Sequence, residues 1–237
     1  MFRLKASAVC TWALMLILFA AAAFWLKSKP ILVFQNQTES IATTVIIDAG
    51  HGGEDGGAIS CTGVPESQIN LAIANTLNDF LHLLGHKTIM IRTTDTSIYT
   101  KGSTLSEKKV SDLKERVRII NETEHAILVS IHQNHYSDSR YSGAQTFYAP
   151  TDGSKELAQN IQNTFLNTIN PNSHRQIKKA DGIYLMQHIS CPGVLIECGF
   201  LSNYEEENML LDPVYQQKIC VVIGTVLSKS LKEARIT

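Results

Sequence analysis

The sequence predicts an α/β fold: a single domain over residues 44–237 with a mostly parallel, twisted β-sheet and helices on both faces, preceded by an N-terminal membrane-anchor helix. Three observations carry this expectation. Short apolar, β-branched runs alternate with longer segments of helical periodicity, the order in which helices come to cover a parallel sheet. The first of those runs, Val45-Ile46-Ile47, breaks into a glycine-dense loop around His51, as a buried strand does when it delivers a side chain to a sheet edge. Ahead of the domain, no charge interrupts the residues between Lys5 and Lys27, enough helix to cross a bilayer.

That N-terminal run is read as a signal-anchor over residues 1–27. Arg3 and Lys5 precede it, which orients everything after Lys27 outside the cytoplasm. Ala20–Ala23 offers the small residues of a cleavage site, but the run is long for a removed signal, so an uncleaved anchor is expected. Residues 28–43 mix Lys, Pro, Gln, Asn, Thr and Ser around Ile31-Leu32-Val33-Phe34 and read as a linker.

The domain begins near Thr44. From Ser67, the stripe Ile69, Ile73, Leu77, Leu81 and Leu84 predicts a helix, stopped by Gly85. His86 to Ile91 is a second strand, and Thr96 to Ser106 a polar, mobile loop. Glu107 to Thr123 is helical through Val110, Leu113, Val117 and Ile120; Ala126 to Ile131 is a third strand that His132 closes. Gly143 to Tyr148 is a further strand, Ser154 to Ile169 a helix, Gly182 to Met186 a short extended piece and Val194 to Glu197 a buried strand. Asp212-Pro213 starts a last helix with the stripe Tyr215, Ile219, Val222, Val226, proline suiting the first turn.

A formal net charge of -1 excludes a dedicated nucleic-acid binder, which needs a basic face to attract phosphates. Four cysteines fall in the exported part. Cys198 and Cys220, inside apolar runs, read as small core hydrophobes, whereas Cys61 and Cys191 carry no clear signal.

In open parallel sheets, ligands collect beyond the carboxyl ends of the strands. His51, His132 and Glu197 all follow strands at that edge, and Glu66 enters from the first loop. Two His and one Glu form a recurring catalytic zinc set, with a fourth position open. Glu197 lies between Val194-Leu195-Ile196 and Cys198-Gly199-Phe200, where a carboxylate needs a partner or a task. The partner would be Arg116 or Arg118; the task would be that of a general base. Asp48 and Asp55 are expected to cap backbone amides, His135 to sit on a rim, and Arg92 and Arg116 to act as structural clamps. His82, His86, His125, His174 and His188 read as solvated or packed imidazoles.

Taken in order, Ile47-Asp48-Ala49-Gly50-His51-Gly52-Gly53, Glu66, Arg92-Thr93-Thr94-Asp95, Leu113-Lys114-Glu115-Arg116 with Asn121, Ser130-Ile131-His132-Gln133-Asn134 and Glu197-Cys198-Gly199-Phe200-Leu201-Ser202-Asn203 resemble the zinc-dependent N-acetylmuramoyl-L-alanine amidases that cleave bacterial cell walls. The resemblance covers nearly all of Thr44 to Leu231. It implies Zn2+ held by His51, Glu66 and His132, Glu197 as the catalytic carboxylate, and cleavage of the amide between muramic acid and the L-alanine of the stem peptide. The bare catalytic domain behind an anchor, with Asp181-Gly182-Ile183-Tyr184-Leu185-Met186-Gln187, resembles in particular the germination-specific amidases of spore formers. Two departures stand out. Ala49 replaces a frequent proline, and His135-Tyr136 replace a small residue after Asn134, which bears on the shape of the substrate groove.

Alternatives are a vegetative wall amidase, another zinc peptidase or deacetylase, and a non-enzymatic wall adaptor. Peptidoglycan is the expected partner, the membrane a second, and an exported helper protein recognised through exposed apolar surface a third.

Overall fold

The computed structural model describes residues 43–233 and Met15. The expected anchor and linker, residues 1–27 and 28–43, lie outside the described residues apart from Met15 and Thr43. Among the described residues no helix is long and apolar enough to cross a membrane.

Among the described residues six strands form one sheet: β1 (Thr44–Ala49), β2 (Lys87–Met90), β3 (Ala126–Asn134), β4 (Gln145–Tyr148), β5 (Lys178–Lys179) and β6 (Gly193–Phe200), in the order β2-β1-β3-β6-β4-β5. The pairings are parallel except that β4 runs antiparallel to β6. Among residues 43–233 six helices pack on it: α1 (Glu66–Leu83), α2 (Leu105–Glu122), α3 (Ser154–Thr168), α4 (Tyr184–His188), α5 (Tyr204–Leu211) and α6 (Pro213–Glu233).

The alternation along β1 shows why both faces are covered. Val45 and Ile47 join a core with Ile73 and Leu77 of α1, Phe165 of α3 and Ile219 and Ile223 of α6. Ile46 faces the opposite way, into a second core with Ile120 of α2 and Leu185 and Met186 of α4. A strand buried on both sides reads as a continuous apolar run, and the sequence is Val-Ile-Ile for that reason.

Several elements differ from expectation. Gly182–Met186 is not extended: Gly182 turns the chain at φ 83°, and a one-turn helix begins at Tyr184. Leu185 and Met186 are consecutive and both buried, which suits a helix inserted into a core better than a strand with one buried face. Helix α5 carries too short an apolar stripe to be seen by periodicity. Its signal is at the start, where the Asn203 side chain caps the amides of Glu205 and Glu206. Strands β3 and β6 run past Ile131 and Glu197, so His132 and Glu197 lie inside strands.

The segment expected to be a mobile loop is tethered. Asp112 accepts from the Ile98 amide at 2.7 Å, and the Ser111 hydroxyl accepts from the amides of Thr100 and Lys101. Helix α2 starts at Leu105 behind a reciprocal capping box between Thr104 and Glu107. All four described cysteines are free, with Cys198 and Cys220 buried as expected.

Candidate metal centre and active site

Strand β1 ends at Ala49, and the next residues turn sharply: His51 adopts φ 61° and Gly52 φ 138°. Two arginines hold this loop by its carbonyls. Arg92 donates from Nε to Ala49 O at 2.8 Å and from Nη2 to Gly50 O at 3.0 Å. Arg116 donates to Ala49 O at 3.0 Å and to His51 O at 2.7 Å. Both are the clamps expected of them. Arg116 also pairs with Asp48 and Asp112, and Arg118 pairs with Glu115 and Glu122, so neither partners Glu197. Asp48 is accordingly not an amide cap: its second oxygen accepts from the Ser130 hydroxyl at 2.6 Å.

The loop then doubles back, Gly52 and Asp55 exchanging backbone hydrogen bonds. This brings the Asp55 carboxylate to 3.0 Å from His51 Nδ1. An imidazole that donates Nδ1–H to a carboxylate keeps its Nε2 lone pair for a metal. Asp55 also accepts from the Gly57 amide, the capping role expected of it.

Glu66 heads α1 and is 3% exposed, so its charge has to be met inside the protein. Oε1 accepts from Asn70 Nδ2 at 3.1 Å and from the Gln133 amide at 3.1 Å, with His132 Nδ1 at 3.0 Å; Oε2 accepts from the Ala58 amide at 3.0 Å and faces His51 Nε2 at 3.3 Å. His132 and Glu197 are partners in the β3–β6 register, so their side chains leave the same sheet face side by side. Two glycines make room. A Cβ on Gly50 would stand 2.2 Å from the His132 ring, and one on Gly57 2.6 Å from Glu66 Oε2.

One ligand atom each from His51, Glu66 and His132 falls within 4.8 Å of the others. Burial alone would lower the His51 pKa, but the Asp55 and Glu66 carboxylates outweigh it and hold it at about 9. Glu66 is correspondingly drawn below the usual carboxylate range, burial opposing and the two imidazoles prevailing. Anionic and imidazole donors that attract positive charge this strongly fit a divalent cation. Glu197 behaves oppositely: burial, reinforced by the Glu66 charge and opposed by the imidazoles, pushes its carboxyl up to about 7. Its Oε2 is enclosed and has no hydrogen-bond partner. A buried carboxylate oxygen left free beside a cation-attracting triad is equipped to handle a proton.

A cleft of about 300 Å³ opens beside His51 and His132, walled by Lys109 and Leu113 of α2 and Tyr184 and Leu185 of α4. Sequence reasoning missed Asn70, which ties Glu66 to Gly50 O and receives Gln133 Nε2. Its signal was an asparagine one helical turn beyond Glu66.

Residues 45–229 match the family model Amidase_3, N-acetylmuramoyl-L-alanine amidase. The chain belongs to this family. Among Amidase_3 relatives, the germination-specific N-acetylmuramoyl-L-alanine amidase of Bacillus subtilis is 39% identical over 177 residues, covering 74% of each chain. The CwlD amidase from Clostridioides difficile, solved in complex with the GerS lipoprotein, superposes with a TM-score of 0.76 at 40% identity, over 81% of this chain and 99% of that one. An N-acetylmuramoyl-L-alanine amidase from Clostridium difficile 630 gives a TM-score of 0.70 at 32% identity, over 81% of this chain and 97% of that one. The Amidase_3 fold and its peptidoglycan amidase activity are thus the frame for the site.

Proposed function

We propose that this amidase is zinc-dependent and serves the spore cortex. His51, Glu66 and His132 would hold the zinc, and Glu197 would be the catalytic carboxylate. The observation that carries the site reading is the convergence of those three donors beside a carboxylate whose Oε2 has no partner.

When bound, zinc supplies a Lewis acid that polarises the scissile carbonyl and acidifies water beside it. Glu197 Oε2 takes the proton of the attacking water, and the same carboxyl returns it to the departing amine nitrogen of L-alanine. A carboxyl whose burial lifts it to about 7 can do both near neutral pH, because neither proton transfer runs steeply uphill. Asp55 and Asn70 keep His51 and Glu66 from rotating away, so the donors stay aligned while the substrate enters.

The spore role is supported by likeness to a germination-specific relative. The anchor over residues 1–27, the linker over 28–43 and the catalytic domain over 44–237 complete the proposal, with the domain held at the outer membrane face. A helper is proposed too, of the exported lipoprotein class, since a relative forms such a complex. The test is to quantify zinc in the purified protein and digest cortex and vegetative peptidoglycan. Mass spectrometry should find stem peptides with a free N-terminal L-alanine. Stem peptides still joined to muramic acid, or release of acetate instead, would overturn the activity, and equal rates on both walls would overturn the cortex preference.

A further inference from the structure

Across the sheet, His132, Glu197 and Gln145 form a row on three adjacent strands, β3, β6 and β4, each in register with the next. Neighbouring strands lie about 4.8 Å apart, so Gln145 continues the catalytic row by one strand, outside the lining of the α2–α4 cleft. Arg175 donates from Nη1 to Gln145 Oε1 at 3.1 Å and from Nε to Ser142 O at 2.6 Å. Its guanidinium lies 4.3 Å from the centroid of Phe200 and 5.8 Å from that of Tyr141. Tyr141 stacks on Phe200, and Tyr136 meets Tyr141 edge to face with centroids 4.8 Å apart.

Phe200 is buried, but Tyr136 and Tyr141 are 52% and 46% exposed. Exposed aromatic rings usually sit on pliant loops or find cover; these are held in place. The Tyr136 amide donates to Ser202 Oγ at 3.1 Å, and Asn203 Nδ2 donates to Tyr141 O at 3.3 Å. Two half-open tyrosines backed by a guanidinium and packed over Phe200, which follows Glu197 on the same strand β6, make a pre-organised binding shelf.

The scissile amide joins two unlike chains, a glycan and a peptide, so opposite sides of Glu197 must accommodate different chemistry. The α2–α4 cleft presents the half-exposed ammonium of Lys109, suited to a carboxylate of a stem peptide. The other side offers aromatic faces. The C–H groups of a pyranose carry partial positive charge and pack on the negative face of such rings, while the phenol hydroxyls can bond sugar hydroxyls. We infer that Tyr136 and Tyr141 form a saccharide subsite, taking a sugar of the glycan strand next to the muramic residue being cleaved. This deepens the peptidoglycan amidase reading and rests on it.

The test uses the zinc-loaded full chain and two substrates: polymeric peptidoglycan, and a muramoyl peptide bearing a single sugar. Tyr136→Ala and Tyr141→Ala should lower kcat/KM on the polymer relative to the single-sugar substrate by about fivefold to tenfold, mainly through KM, with Tyr141→Trp restoring the ratio. A second measurement needs no catalysis: glycan strands stripped of stem peptides should co-sediment with the wild-type chain and less with either alanine variant. An unchanged ratio together with unchanged co-sedimentation would overturn the subsite. So would equal losses on both substrates, which would make the tyrosines structural. If the wild-type chain cleaved neither substrate yet still bound stripped strands, the activity reading would fail while the subsite stood.

Discussion

Arg116 and Asp48 form a salt bridge buried on both sides, with side chains 2% and 1% exposed, at the base of the loop that carries His51. The same guanidinium holds the carbonyls of Ala49 and His51. A charge pair in the interior is costly to assemble and more costly to break, because the surviving partner is left without water or a counter-charge.

Arg116→Leu is therefore expected to destabilise the fold by about 3–5 kcal/mol at neutral pH. The pH dependence distinguishes this from lost packing. In the wild type burial raises the Asp48 pKa, but Arg116 and the Ser130 hydroxyl outweigh it, leaving the group below its ordinary value of 3.8. A depressed carboxylate contributes stability that is present above its unfolded pKa and lost as pH falls through the folded one. In Arg116→Leu the Asp48 pKa should rise instead, so the gap between variant and wild type should be widest near pH 7 and narrow toward pH 4. Urea denaturation across that range checks it; a gap independent of pH would refute the account.

Asp55→Asn should weaken zinc binding by about 10- to 100-fold, measured by competition with a chromogenic chelator. The amide can still touch His51 Nδ1 but no longer holds the imidazole by charge. Thermal stability of the metal-free protein should change little, since Asp55 is only partly enclosed.

Gly50→Ala places a methyl 2.2 Å from the His132 ring, which must swing out of its position. The variant should purify folded, with most of its zinc lost. Gly63→Ala is a control with no atom within 4 Å to strike, although its positive φ carries a modest strain.

Glu197→Ala should retain zinc and lose hydrolysis by about three orders of magnitude or more, whereas His51→Ala and His132→Ala should lose both. Zinc bound by Glu197→Ala together with near wild-type turnover would remove Glu197 from the mechanism.

Chelation should lower the melting temperature, and added zinc should restore it, because a ligand that binds only the folded state stabilises it by mass action. The effect should vanish in His132→Ala. A chelator that left the melting curve untouched would argue that these donors hold no ion in solution.

Much of this was legible along the chain. Apolar runs alternating with helical stripes specify the layers and point three site residues to the carboxyl-end half of the sheet where ligands gather, although His132 and Glu197 lie inside β3 and β6 rather than after them. Glu66 was legible as the start of a helix that the periodicity marks. The one-turn helix at Tyr184 was not, since the short apolar run Ile183-Tyr184-Leu185-Met186 suits a buried strand or a helix equally until the core it enters is known. The bond between Arg116 and Asp48 spans 68 residues of sequence, and nothing local distinguishes it from a bond to Glu197.

By itself, then, the sequence determined the α/β layering, the Amidase_3 motifs and the identity of the candidate donors, because periodicity and glycine placement are local properties. Only the tertiary structure decided which carboxylate is paired and which is left free, how Asp55 and Asn70 steady the donors, and that Tyr136 and Tyr141 stand together beyond Glu197. Those relationships arise where β1, β3, β6 and β4 come side by side, and strand neighbours are chosen by packing across the whole sheet rather than by adjacency in the chain.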